Sequence, residues 1–247
     1  MIRIVTDSTC DLPAEVIAKY GICVVPLYIN IGDKGYLDGV EITREEFYRN
    51  LPTYPVHPTT AASSPEKYRK VYDELAREGA TQVLSIHISS ALSAVIDTAR
   101  IAAQGNTMGE IVKALNDQNK RSHVFAALDT LEFLKRSGRM NGMIAAMGTL
   151  LQLKPILTMF DGKAGAERVR TRERATQRLL EMLHDVGNVE RIAIVHTHSP
   201  ERVAELRQQA AHLLPDGEIL SMDITPVIGA HIGPGAVGFA IVGKSKG

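Results

Sequence analysis

Ile2-Arg3-Ile4-Val5, then Asp11-Leu12-Pro13, then Cys23-Val24-Val25-Pro26-Leu27-Tyr28-Ile29-Asn30-Ile31 is the stretch that decides the fold. A short apolar run rich in β-branched residues reads as a strand. Asp11 and Pro13 supply a cap and a first-turn proline for a helix over Ala14 to Tyr20, and Cys23 to Ile31 is β-rich despite Pro26. Strand, helix, strand in that order predicts parallel pairing with right-handed crossovers. Further along, Thr43-Arg44-Glu45-Glu46 has capping-box spacing and starts a helix carrying Phe47 and Leu51. Ser64-Pro65 opens another through Tyr68, Val71, Tyr72 and Leu75, which Gly79 stops. Gln82 to Ile88 is the next strand, running into Ser89-Ser90-Ala91-Leu92-Ser93 and a further helix.

The second half reads differently. Phe125 to Leu128 is strand-like, Leu131 to Arg136 helical, and Ile144 to Leu153 apolar enough for a buried helix. Lys154 to Phe160 and Ala166 to Arg170 flank the turn dipeptide Asp161-Gly162, so a hairpin is expected. A helix near Arg174 to Leu183, a strand from Arg191 to His196 and a helix capped by Ser199-Pro200 follow. The pattern predicts an α/β protein of two domains: a parallel-sheet, Rossmann-like domain over 1–121 and an α+β domain with a mixed sheet over 122–247.

Composition narrows the function. Lys+Arg and Asp+Glu both number 28, so the formal net charge is zero and the long-range field of a nucleic-acid binder is missing. Cys10 and Cys23 are the only cysteines, without disulfide-framework or metal-ligand spacing, which fits a reducing cytoplasm. The N-terminus lacks the pattern of a signal peptide, and no apolar run approaches the roughly 20 residues of a membrane span.

Near the end, Thr225-Pro226-Val227-Ile228-Gly229-Ala230-His231-Ile232-Gly233-Pro234-Gly235-Ala236-Val237-Gly238 sets one histidine among glycines. The segment is too apolar for a surface loop and too rich in Gly and Pro for a helix interior. Glycines such as Gly233 and Gly235 permit close approach of backbone to ligand, and His231 is the one titratable group there, so the segment reads as a binding-site wall.

Nine motifs then fall in the order seen in the DegV family, which the chain resembles over almost its whole length: Ile4-Val5-Thr6-Asp7-Ser8-Thr9, Val25-Pro26-Leu27, Pro58-Thr59-Thr60, Ile88 to Ser93, Leu131 to Arg139, Leu153-Lys154-Pro155-Ile156-Leu157, Asp161-Gly162-Lys163, Arg170-Thr171 and Gly229 to Gly235. The resemblance implies two α/β domains with a ligand cleft between them, holding one long-chain fatty acid whose carboxylate is presented to a separate fatty-acid kinase. It implies no cofactor, leaves room for transient membrane contact, and points to phospholipid synthesis. Thr59, Thr60, Ser90, Ser93, His231, Gly233, Gly235 and Arg139 are the implied ligand-binding residues. A carboxylate taken out of water needs donors. The hydroxyls of Thr60 and Ser93, amides opening the helix after Ser93, and His231 can supply them. Ile228, Ile232, Val237 and the Ile144 to Leu151 helix are candidates to line the tail, each buried CH₂ contributing about 0.8 kcal/mol.

Two departures from the family pattern stand out. Members carry a strand ending in Asp-Ser and another helix where this chain joins Gln104 to Gly105, roughly 30 residues by comparison with the family; the expectation is a break there rather than a true loss, since losing a strand and helix leaves backbone groups unpaired. Ala61-Ala62 and Ala94-Val95 replace Ser-Gln and Gly-Thr, thinning the hydroxyls around the head group.

Blander readings stand beside these. Asp7, Ser8 and Thr9 either end a strand and cap a turn or line the pocket mouth. Thr59 and Thr60 could lead into the helix at Pro65, Ser89 and Ser90 shape a turn, and Arg139, Arg170 and Arg172 meet solvent or structural carboxylates. His196 and His198 have strand-face spacing for a metal but no third ligand. The alternative function is a small-molecule hydrolase or transferase using Ser93 and His231 with Asp129, although no Gly-x-Ser-x-Gly elbow or Walker loop is present.

Overall fold

In the computed structural model, which describes residues 1–90, 92–103, 109–138 and 153–244, the opening stretch forms the expected parallel unit. Strand β1 (Ile2–Asp7) leads through a short 3-10 turn to helix α1 (Ala14–Tyr20) and strand β2 (Cys23–Val25), which pairs parallel with β1. Two details differ from the sequence reading. Asp11 does not cap α1; it adopts φ +53°, Pro13 holds the cap position without a side-chain bond, and the Asp11 carboxylate accepts from the Thr225 amide at 2.7 Å. The β-rich run to Ile31 is not one strand. Pro26 has no N–H to continue the ladder, so β2 ends at Val25 and β3 (Tyr28–Ile31) joins a separate antiparallel sheet, between β4 (Lys34–Leu37) and β5 (Thr59–Ala61).

The helices fall close to expectation. Thr43 caps α2 (Arg44–Asn50) by accepting from the Glu46 amide at 3.1 Å, and α2 buries Phe47 and Tyr48. Helix α3 (Pro65–Arg77) buries Tyr68 and Leu75. Strand β6 (Gln82–Ile86) then pairs parallel with β1 from Ile2↔Gln82 to Thr6↔Ile86, giving the order β2-β1-β6, and α4 (Val95–Ala102) follows.

Helix α5 (Gly109–Asn119) leads to β7 (Ser122–Ala127) and α6 (Glu132–Arg136). Strands β8 (Lys154–Phe160) and β9 (Lys163–Val169) form the expected hairpin, with Asp161 at φ +47° and Gly162 at φ +70° in the turn. Next come α7 (Arg172–Val186), β10 (Val189–His196), α8 (Pro200–Ala210), β11 (Leu220–Asp223), α9 (Pro226–Ile232) and β12 (Val237–Gly243). The sheet runs β11-β10-β12-β7-β8-β9 and is mixed, only β10 and β11 being parallel. Helices α7 and α8 cover it through Leu179, Leu183 and Leu206, packed with Phe125, Ile156, Ile194 and Phe239.

The chain packs as two compact units, 1–114 with 225–228, and 115–224 with 229–247. The return of Thr225–Ile228 to the first unit was not readable as sequence, because its bond to Asp11 spans over 200 residues. The expected helix over Ile144 to Leu153 and the Gln104–Gly105 junction lie outside the described residues, apart from Leu153 itself. No helix among the described residues is long and apolar enough to cross a membrane.

Candidate ligand-binding site

The hydroxyl-bearing residues belong to the first unit. Thr59 and Thr60 sit on β5, opposite Asn30 and Ile29; Thr59 is exposed and Thr60 half-buried. The strand is needed because Ile29 must be buried while its ladder partners remain satisfied. Beyond β6 the chain turns, the amides of Leu92 and Ser93 both donating to the Ser89 carbonyl at 2.9 and 3.2 Å. Ser90 is exposed in this turn, whereas Ser93 is half-buried and accepts from the Val95 amide at a long 3.4 Å. Ala94 is the cap residue of α4 and offers no side-chain acceptor. Ser93 is thus the hydroxyl nearest in sequence to the opening of α4.

The same unit encloses a polar interior around Asp7, whose partner His87 the sequence did not single out. Asp7 is fully buried and accepts from Thr9 N at 2.9 Å, Thr9 Oγ1 at 2.5 Å and His87 Nδ1 at 2.7 Å. Burial alone would raise the carboxyl, but the His87 and Thr9 hydrogen bonds outweigh it and hold the pKa below its ordinary value. Ser8 Oγ accepts from the Leu27 amide at 3.2 Å. Two further carboxyls move the other way: burial pushes Asp11 up to about 7 and Asp38 to about 6, with Arg44 3.9 Å from Asp11 and the Ser8 hydroxyl acting on Asp38 as partial compensation. A carboxylate in every motif position looks alike in sequence; only the fold says which one is buried.

His231, Gly233 and Gly235 belong to the second unit. The segment predicted to be non-helical contains α9, with His231 half-buried in its last turn. Pro226 is tolerated in the first turn, and burial of Val227 and Ala230 overrides the low helix propensity of Gly229. Gly233 ends the helix at φ +76°, and a Cβ there would collide with the Phe133 ring; Gly235 has φ +83°, and a Cβ would collide with the Asp129 carboxylate. The space the glycines free is filled by the protein's own side chains. The turn is pinned from β10 and α8: the Gly235 amide donates to the Thr197 carbonyl at 2.9 Å, the Ala236 amide to Thr197 Oγ1 at 2.8 Å, and Arg202 donates to the Gly235 carbonyl.

Asp129 is a charge centre beside this turn. Arg172 reaches both carboxylate oxygens at 2.9 and 3.0 Å, Lys154 Nζ donates to the Asp129 carbonyl at 3.0 Å, and Arg202 lies 3.4 Å away. A carboxylate so engaged is not holding a catalytic imidazole. His196 Nδ1 accepts from the Ser199 amide at 3.1 Å, a structural role, and no cluster of three His, Cys, Asp or Glu residues suited to a metal occurs among the described residues. Arg139 lies outside the described residues.

Comparison with known proteins agrees with this architecture. A family model described as "Uncharacterised protein, DegV family" matches residues 1–104 and 94–244, two segments that overlap over 94–104 and together cover nearly the whole chain. A DegV domain-containing protein of Listeria innocua is 31% identical over 273 aligned positions, covering 96% of each chain. That span exceeds the 247 residues here, so the relative carries residues without a counterpart in this chain. Among solved structures, that titled fatty acid binding of a DegV family protein from Thermus thermophilus is 34% identical with a TM-score of 0.88, covering 98% of this chain and 99% of that one. DegV of Bacillus subtilis, described as a fatty acid binding protein, is 26% identical with a TM-score of 0.87 and the same coverage. By its match to the family model over nearly all its length, and by a whole-chain relative above 30% identity, the chain belongs to the DegV family.

Proposed function

We propose that this protein is a carrier that binds one long-chain fatty acid, with its carboxylate held by Thr60, Ser93 and His231 and its tail lying between an N-terminal domain over 1–121 and a C-terminal domain over 122–247. The observation that carries the reading is the whole-chain likeness to DegV structures described as fatty-acid binding. The chemistry agrees with it. Thr60 and Ser93 are half-buried hydroxyls, able to donate to a carboxylate while losing little hydration of their own. Thr59 and Ser90 are exposed and take an outer role, and Gly233 and Gly235 shape the turn after His231; Arg139 is assigned to the ligand by the family resemblance alone. Presentation of the bound acid to a separate kinase follows from the family resemblance, as does a place in phospholipid synthesis. The two free cysteines fit a cytoplasmic setting. Transient membrane contact is not part of the proposal.

Thr60→Val and Ser93→Ala test the head-group assignment. Each should weaken oleate binding about tenfold, the loss of a hydrogen bond to a charged group, with a cooperative unfolding transition retained. Unchanged affinity in both would remove them from the site. The hydrolase alternative using Ser93 and His231 requires ester turnover by the purified chain that disappears in His231→Ala.

A further inference from the structure

We infer that His87 is a positioning residue, the centre of a buried hydrogen-bonded chain, Tyr72–Ser85–His87–Asp7, that fixes the exit of β6 and so the hydroxyl of Ser93. This rests on the proposed reading of Ser93 as a carboxylate donor. The main-chain pairing of β1 with β6 ends at Thr6↔Ile86. One residue further, side chains take over: Asp7 Oδ2 and His87 Nδ1 are 2.7 Å apart, with both side chains essentially inaccessible, at 0% and 1% exposure. His87 Nε2 lies 2.7 Å from Ser85 Oγ, and Ser85 Oγ lies 2.8 Å from the Tyr72 hydroxyl on α3.

Asp7 is held ionised and only accepts, so His87 Nδ1 donates to it. His87 Nε2 and the Ser85 hydroxyl share the next hydrogen bond, and Ser85 and the Tyr72 hydroxyl the one after it. The Tyr68 ring closes the face of the imidazole edge-on, at 5.3 Å and 86°. Each ring nitrogen is occupied, which fixes the rotamer of the ring. The turn that carries Ser93 starts two residues later, at Ser89, so His87 is the last residue tied to the sheet before it. Ser85, His87 and Asp7 have the order of contacts of a hydrolytic triad. The Ser85 hydroxyl is, however, bonded on its other side to Tyr72, and the imidazole is sealed from solvent, so the chain reads as a brace and not as a nucleophile.

The test is oleate titration of the full chain, its Ser93→Ala variant and three brace variants, with thermal unfolding of each. His87→Gln can reach Ser85 but not Asp7, and should weaken binding about tenfold, the size of one lost charge-assisted hydrogen bond. His87→Asn sets its amide where Nδ1 stood, keeps the bond to Asp7, and should recover most of that affinity. Ser85→Ala is the milder variant should His87→Gln fail to fold; it removes only the Nε2 partner and should fall between wild type and Ser93→Ala. The inference is overturned if Ser93→Ala weakens binding while all brace variants bind like wild type. It is equally overturned if His87→Asn and His87→Gln lose affinity to the same extent, which is the mark of general packing damage. A wild-type chain that takes up no oleate overturns the reading of Ser93 itself, and the inference with it.

Discussion

The two units of this protein bury different things. The second is held by an apolar interior in which Phe125, Ile156, Leu179, Ile194 and Phe239 meet under α7 and α8; it buries His196, Thr197 and Ser199, but no carboxyl among its described residues. The first also has an apolar core, of Val5, Ile29, Phe47 and Leu75, but it encloses Asp7, Ser8 and Asp38 as well, and Asp11 lies close by. Apolar burial contributes stability in proportion to area. Enclosed carboxyls cost stability unless paired; Asp7 is paired with His87 and Thr9, whereas burial raises Asp11 and Asp38. The contrast teaches that the second unit is organised around apolar packing on β7, β8, β10 and β12, whereas the first adds buried carboxyls at and beyond the end of β1 to its apolar core.

The largest effect should come from the apolar side. Phe239 is fully buried and packs edge-on against Phe125 at 5.9 Å and 69°. Phe239→Ala should destabilise by about 3–5 kcal/mol, read from the denaturant midpoint, with oleate affinity of the folded fraction little changed. A loss below about 1 kcal/mol would break the claim that this unit is held by packing.

An intermediate effect should come from the polar side and should depend on pH. Asp11 and Asp38 have folded pKa values raised to about 7 and about 6 from 3.8. A raised acid binds more protons folded than unfolded, so its contribution is complete below about pH 4 and is lost as pH climbs through 6 to 7. Asp7, shifted downward, loses its contribution only on the acid side of that window. Unfolding free energy should therefore fall between about pH 4 and pH 7, by an amount on the order of a few kcal/mol for the pair. Asp11→Asn retains an oxygen for the Thr225 amide and should flatten the slope. A wild-type stability that rises with pH over that range would contradict the shifts.

Much of this fold was legible because its signals are local. The strand-helix-strand order of the first 25 residues, the Thr43 cap and the Asp161-Gly162 hairpin each depend on neighbours within a few positions, and each appears in the structure. What was not legible depends on distant residues. Gly233 and Gly235 look like ligand-facing glycines until Phe133 and Asp129 are seen to occupy the space beside them. His87 looks like any residue of a strand end until Asp7, 80 positions away, is found beside it. Helix α9 was masked by its glycine and proline, because propensity yields to burial where Val227 and Ala230 are covered. Of the candidate site, His231 stood out as the one titratable group in a Gly- and Pro-rich apolar segment, whereas Thr60 and Ser93 came from family resemblance, and no periodicity would have singled them out.

The smallest effect should come from the charged surface of the second unit. Arg178 Nε meets Glu167 at 2.7 Å on a partly exposed face. Arg178→Ala should cost no more than about 1 kcal/mol, the range for exposed ion pairs, and less at high salt. A loss comparable to that of Phe239→Ala would mean that the division between an apolar unit and a polar one has been drawn in the wrong place.

The central claim, that the chain carries a fatty acid, is tested most directly by native mass spectrometry of the purified protein, with the bound species released and identified. The account predicts a complex of one chain with one long-chain fatty acid, or stoichiometric uptake of added oleate by delipidated protein. A chain that travels alone and takes up no oleate would contradict it.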